Sequence, residues 1–216
     1  GKSTALPVVC LSLDSANRLI NVLEKDSVNN QFGKLYINDW YINVIYQGMT
    51  PIMRTSNKVK LELNLYAQDT LFTKETEYVL MSTAQNSDTG ISFPFNFPFN
   101  FGYDPLATGS VTNNELIDAD FILKFDKPTS DININIDAHS YIVDAEIDEG
   151  ETFVLDTANK EVYKITPFGK TSLLGAAPDE SYIFNPIPSG NHRISWSGDF
   201  NIFLTLLEHR RTPIWI

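Results

Sequence analysis

Cysteine occurs once in the 216 residues, as Cys10 in the apolar run Val8-Val9-Cys10-Leu11. A single cysteine excludes an intrachain disulfide framework, a zinc knuckle and a CxxC redox pair. In that setting it reads as a small buried hydrophobe. Histidine is nearly as scarce: His139, His192 and His209 lie far apart, with no HExxH or other paired spacing. There is no GxSxG elbow and no GxGxxG, and Gly169-Lys170-Thr171 lacks the glycine-rich nest a phosphate loop needs. Catalysis needs convergent acids, bases or nucleophiles, and no such set emerges, so the chain does not read as an enzyme and no cofactor is expected. Positive charge is in short supply: 16 Lys and Arg face 27 Asp and Glu, a formal net charge of -11. Such a chain is repelled by phosphate backbones, which argues against sequence-specific nucleic-acid binding. No apolar run approaches the ~18 residues of a helical membrane span, so no membrane partner is expected. What is present is ordinary globular composition, 43% apolar and 20% charged, at a length that suits one large or two small domains.

The first part of the chain is β-rich with one helix. Pro7 to Leu13 is a short β-like run. Asp14 or Ser15 can cap a following helix by accepting from first-turn amides. Leu19, Ile20, Val22 and Leu23 then recur at helical spacing, and Asn29-Asn30 and Gly33 close the segment. From Lys58 to Tyr66 the pattern switches to strict alternation, with Val59, Leu61, Leu63 and Leu65 on one side, as in a half-buried antiparallel strand. Gly102 to Asn114 reads as loop. Beyond it come short β runs: Leu116–Phe125, Ile132–Ile136, Tyr141–Ile147, Thr152–Leu155, Glu161–Ile165, Tyr182–Asn185, His192–Trp196 and Phe200–Leu206. Their spacing and turn residues suggest a β-sandwich or jelly roll. Ser197-Gly198-Asp199 between two of them is a hairpin signal.

Between the two parts lies a tandem tetrapeptide, Phe93-Pro94-Phe95-Asn96-Phe97-Pro98-Phe99-Asn100, closed by Phe101-Gly102-Tyr103. Phe93, Phe95, Phe97, Phe99 and Phe101 alternate strictly, which places them on one side of an extended chain. Pro94 and Pro98 cannot donate to a ladder, so the segment is no central strand. It reads as an edge or a clasp between modules, with the five phenylalanines as interdomain packing residues. The run resembles the junction of siphophage distal tail proteins (Dit), the siphovirus-type tail component family. Two flanking stretches are similar to the same family: Gly33-Lys34-Leu35-Tyr36-Ile37-Asn38-Asp39 with Val59 to Asp69 upstream, and Pro188-Ser189-Gly190-Asn191-His192-Arg193-Ile194 downstream.

The resemblance implies a mainly β chain: an N-terminal ring-forming belt domain over 1–90, an aromatic junction over 91–115, and a C-terminal galectin-like or jelly-roll sandwich over 116–216. It implies a structural tail-tip protein of a phage or prophage, a hub linking tail tube to baseplate or tail fibre. Its partners would be other tail proteins (tail tube, baseplate, a tail-associated fibre or lysin) and further copies of itself in a ring, commonly of six. It would reside in the virion, after assembly in the bacterial host cytoplasm. The family normally has further strands before the point at which this chain opens with Gly1-Lys2-Ser3, which predicts weaker self-association than an intact member shows.

Two polar rows are weak ligand candidates. Asp144, Glu146 and Asp148 alternate and would line one strand face, where hard oxygen ligands can hold Ca2+ or a carboxylate pair can act on a glycoside. A solvated edge that repels other sheet edges is the simpler reading of them. Asn133 and Asn135, opposite Ile132, Ile134 and Ile136, form an amide row that could meet sugar hydroxyls, though half-buried strands share that alternation. Trp196 could supply a sugar platform or sit in the core. A carbohydrate-binding module of a host-recognition device is therefore the alternative function, and an exposed aromatic beside Asn133 would favour it.

Overall fold

The computed structural model describes residues 1–55, 58–82, 107–130, 132–178 and 181–213. The aromatic repeat, Phe93 to Phe101, lies outside them. The chain divides into two compact units, one of residues 1–74 and 209–216, the other of residues 75–208.

The first unit pairs β1 (Lys2–Cys10), β4 (Val59–Ala67) and β3 (Trp40–Arg54) antiparallel, with β2 (Gly33–Ile37) on β3. The alternation read from Val59 onward holds: Val59, Leu61, Leu63, Leu65 and Ala67 are all buried. Strand β3 slips register twice against β4, between Tyr46 and Gly48 and between Pro51 and Met53. Gly48 has φ +146, a conformation that suits glycine at such a bulge. Helix α1 (Leu13–Val28) lies against this sheet. Its cap is Ser12, two residues before Asp14 and three before Ser15, because the Ser12 hydroxyl accepts from the Ser15 amide at 3.1 Å. Ala16, Leu19, Ile20 and Leu23 face the sheet, while Val22 faces water with 61% of its surface exposed. The helix is fastened further along by Ser27, whose hydroxyl donates to the Tyr46 carbonyl at 2.9 Å.

The second unit is a two-sheet sandwich. One sheet runs β5 (Phe72–Leu80), β14 (Ile202–Arg210), β7 (Asp120–Phe125), β10 (Thr152–Asp156), β11 (Glu161–Thr166) and β12 (Gly169–Ser172). The other runs β6 (Ala107–Asn113), β13 (Gly190–Trp196), β8 (Ile132–Ile136) and β9 (His139–Val143). Inward side chains of both sheets share one core, including Phe121, Phe125, Phe153, Ile134, Val111 and Trp196. Phe125 stacks on both Phe153 and Phe200, with centroids 4.9 Å and 4.2 Å apart.

Several segments depart from the sequence expectation. Residues 107–113 are strand rather than loop: Gly109 masks the alternation, yet a Cβ there would lie 2.8 Å from Leu80 Cδ2, so glycine lets Leu80 close over the strand. Leu116 is 93% exposed in a loop, and strand β7 starts only at Asp120. Tyr182–Asn185 is a turn, closed by the Asn185 amide on the Tyr182 carbonyl at 3.0 Å. The expected hairpin at Ser197-Gly198-Asp199 does not form: β13 pairs with β6 and β8, and β14 pairs with β7 in the other sheet. The residues on both sides of that turn are inward-facing and large, so crossing between sheets buries both where a hairpin would bury one face.

Candidate functional site

The four-stranded sheet sets its apolar residues inward and short hydrogen-bonding residues outward. Strand pairing aligns Thr108, Ser195, Asn135 and Ser140 in one row across β6, β13, β8 and β9. Ser110 lies beside Arg193 in the next row and Thr112 beside Asn191 in the one after. Asn133 pairs with half-buried Ile142 at the other end. Side-chain bonds link part of this face: Ser140 Oγ donates to Asn135 Oδ1 at 2.6 Å, and Asn135 Nδ2 donates to Asn133 Oδ1 at 3.3 Å.

Side-chain bonds fasten the β8–β9 turn to β13. Asp137 adopts φ +51 in the β8–β9 turn, a left-handed conformation that aspartate tolerates. Its carboxylate accepts from the Arg193 amide at 2.8 Å and lies 2.6 Å from His192 Nδ1. The His192 bond and then the Arg193 amide hold the Asp137 carboxyl below its ordinary range. His192 Nε2 sits 3.0 Å from the Pro188 carbonyl, so one side chain joins the turn, β13 and the segment before it.

Strand β9 is the outer strand of this sheet, and Ala176 and Ser181 bond to its edge. The Asp144 amide donates to the Ala176 carbonyl at 2.8 Å, and the Ile142 amide to Ser181 Oγ at 3.0 Å. A cleft of about 340 Å3 opens there, lined by His139, Ser140, Ile142, Pro178, Ser181 and Tyr182. His139 Nε2 lies 3.0 Å from the Tyr182 carbonyl, and its ring meets Tyr141 edge-on. The Tyr182 side chain is left 76% exposed. Ser140 belongs both to the row and to the cleft.

The residues singled out from the sequence fall in three places. Asn133 and Asn135 are on the polar face and bonded to each other. Trp196 is on the opposite side of the same sheet, fully buried beside Ile134, and cannot meet a ligand on that face. Asp144, Glu146 and Asp148 do not share a strand face: β9 ends at Val143, and residues 144–146 are irregular. All three are exposed, and among the described residues no group of three or more His, Cys, Asp or Glu side chains is placed to hold a metal ion. The acidic residue that is engaged nearby is Glu151, which accepts from Lys164 Nζ at 2.7 Å and from the Asp148 amide at 3.0 Å. Those bonds, the amide first, keep the Glu151 carboxyl low, and the carboxylate raises Lys164. Thr108, Ser110 and Ser195 were legible only as alternating small polar residues. Tyr182 carried no signal, because its exposure depends on the neighbouring strand.

No family model matches the chain, and neither does any curated protein. Solved structures do match. The crystal structure of the SPP1 Dit protein, described as a paradigm of the hub adsorption apparatus in phages infecting Gram-positive hosts, is 11% identical, with a TM-score of 0.60 over 97% of this chain and 79% of that one. Two structures of the phage P2 baseplate in its activated conformation, with Ca and with Sr, each match at 10% identity and a TM-score of 0.59, over 99% of this chain and 81% of theirs. Two compact units, mainly antiparallel β with one α-helix among the described residues, thus take the fold of phage Dit and baseplate hub proteins.

Proposed function

We propose that the chain is a structural protein of a phage or prophage tail tip, a distal tail hub that joins the tail tube to the baseplate or tail fibre. The observation that carries this reading is the extent of the fold likeness, which runs through both units and not through one common domain. Its work is assembly, made by interfaces and not by bond chemistry. The first unit supplies a reason to assemble. Leu13, Met49, Ile52 and Met53 line one shallow groove and are each between 39% and 55% exposed. Fully burying a side chain of this kind from water gains ~1.5–3 kcal/mol, and covering the exposed half of each gains roughly half of that, so such a groove favours a partner surface. Further copies of the chain in a closed ring, commonly six in this fold's hubs, would cover it. The repeat from Phe93 to Phe101 falls in sequence within the second unit, between β5 and β6, and not at the boundary between the two units near residue 74. The net charge of -11 suits a channel wall past which DNA slides without sticking.

The test is location. Gold-labelled antibodies against the chain, applied to particles from a strain that encodes it, should mark the end of the tail tube opposite the head. Label on the capsid, along the whole tube, or on no particle would remove the assignment.

A further inference from the structure

We propose that the outer face of the four-stranded sheet, together with the cleft along β9, binds an uncharged glycan chain. The inference does not rest on the hub assignment, because it concerns one face of the second unit and is read out without assembly.

The first ground is the chemistry of the row. Thr108, Ser195, Asn135 and Ser140 cross four strands side by side. With strands ~4.8 Å apart, the row reaches about 14 Å, which fits an oligosaccharide better than a single sugar. Hydroxyls and amides both donate and accept, as a sugar's adjacent hydroxyls require. Among the described residues, the side chains of Thr108, Ser110 and Ser195 have no hydrogen-bond partner, so they are available to a ligand.

The second ground is charge. The chain carries -11 overall, yet Arg193 is the one charged side chain in these rows, and the Asp137 carboxylate sits at its margin. One cation beside a carboxylate is too little for a polyanion such as a nucleic acid. A protein interface would need an apolar centre, and here only half-buried Ile142 faces outward.

The third ground is an aromatic wall. Tyr182 is 76% exposed, while its backbone is held by His139 and its neighbour Ser181 is bonded to β9. A ring held in place by its backbone and left bare offers a stacking surface for a sugar face at little ordering cost. It stands at the cleft that Ser140 shares with the row, so hydroxyl recognition and stacking meet at one end of the face.

The experiment is an NMR titration of the full 15N-labelled chain with oligomers of glucose, rhamnose and N-acetylglucosamine at millimolar concentration, with poly(glycerol phosphate) as the anionic comparison. Shifts are expected for at least one neutral oligomer, confined to residues 108–112, 133–142, 181–182 and 191–195. Tyr182→Ala should weaken that binding about tenfold or more, ~1.4 kcal/mol. Ser195→Arg should abolish it by filling the row, and both variants should keep the parent melting temperature. No response to any neutral oligomer, shifts elsewhere, or unchanged affinity in both variants would overturn the proposal. Binding of poly(glycerol phosphate) alone, lost in Arg193→Gln, would also overturn it by making the face an anion site.

Discussion

The indole Nε1 of Trp196 donates to the carbonyl of Phe200 at 2.8 Å. This bond spans the turn at which the chain leaves the sheet of β13 and enters the sheet of β14. Both residues are buried, Trp196 completely. Trp196→Phe keeps most of the volume but strands the Phe200 carbonyl, and should cost ~1–3 kcal/mol. Trp196→Ala adds a cavity and should cost ~3–5 kcal/mol. Urea unfolding of the three proteins checks the order. Equal stability of Trp196→Phe and the parent would show that the bond is dispensable.

Glu208 is a buried carboxylate, 2% exposed, that accepts from Thr76 Oγ1 at 2.9 Å and the Asn114 amide at 3.1 Å. Asn113 works beside it, donating from Nδ2 to the carbonyls of Ile117 and Ile187. Together they fix the loop between β6 and β7. Glu208→Leu removes the acceptor of three donors, Thr76 Oγ1, the Asn114 amide and, at 3.4 Å, Asn114 Nδ2, whose residue is exposed to water. The loss of the first two should lower stability by ~2–6 kcal/mol, at ~1–3 for each stranded group. Amide exchange should speed up at Asn114. Protection at Asn114 equal to the parent's would show that another group satisfies it.

The Asp137 carboxyl is held low by His192 and the Arg193 amide. A carboxylate depressed in the folded state contributes stability above its unfolded value, near ~3.9, and loses it as pH falls through the lower folded value. Melting temperature should therefore drop below about pH 4, and Asp137→Asn should flatten that part of the drop. A variant whose acid limb superimposes on the parent's would mean that Asp137 does not contribute to it.

Lys164 and Glu151 meet at 2.7 Å with side chains only 19% and 11% exposed. Glu151→Gln should lower the melting temperature more than Glu161→Gln, whose Lys170 pair lies half-exposed on the surface. Differential scanning calorimetry at two salt concentrations separates them, because only the surface pair should weaken with salt.

Local pattern carried much of this fold. The alternation from Val59 to Leu65 and the isoleucines of β8 announced strands with a defined inner face, and each took it. The helix was visible for the same reason, a period matched by burial. Sheet membership was not visible. A short Ser-Gly-Asp turn is compatible with a hairpin or with a crossing between sheets, and the choice depends on a core built from residues far apart in sequence. The candidate face was half legible. Asn133 and Asn135 stood out, but their neighbours in space come from residues 108, 195 and 140. Trp196 took the inward place that the apolar pattern of Ile194-Ser195-Trp196 favours, in register with Ile134.

The mass of the chain in solution tests the central claim most directly. Sedimentation equilibrium over a wide concentration range should show the 24.4 kDa chain associating weakly and reversibly, as a monomer or small oligomer. Ile52→Glu together with Met53→Glu, placed in the exposed groove of the first unit, should return it to the monomer without altering the fold. Association that is tight at low concentration, or that is indifferent to both charges, would contradict the account of this groove as the seam between copies of the hub.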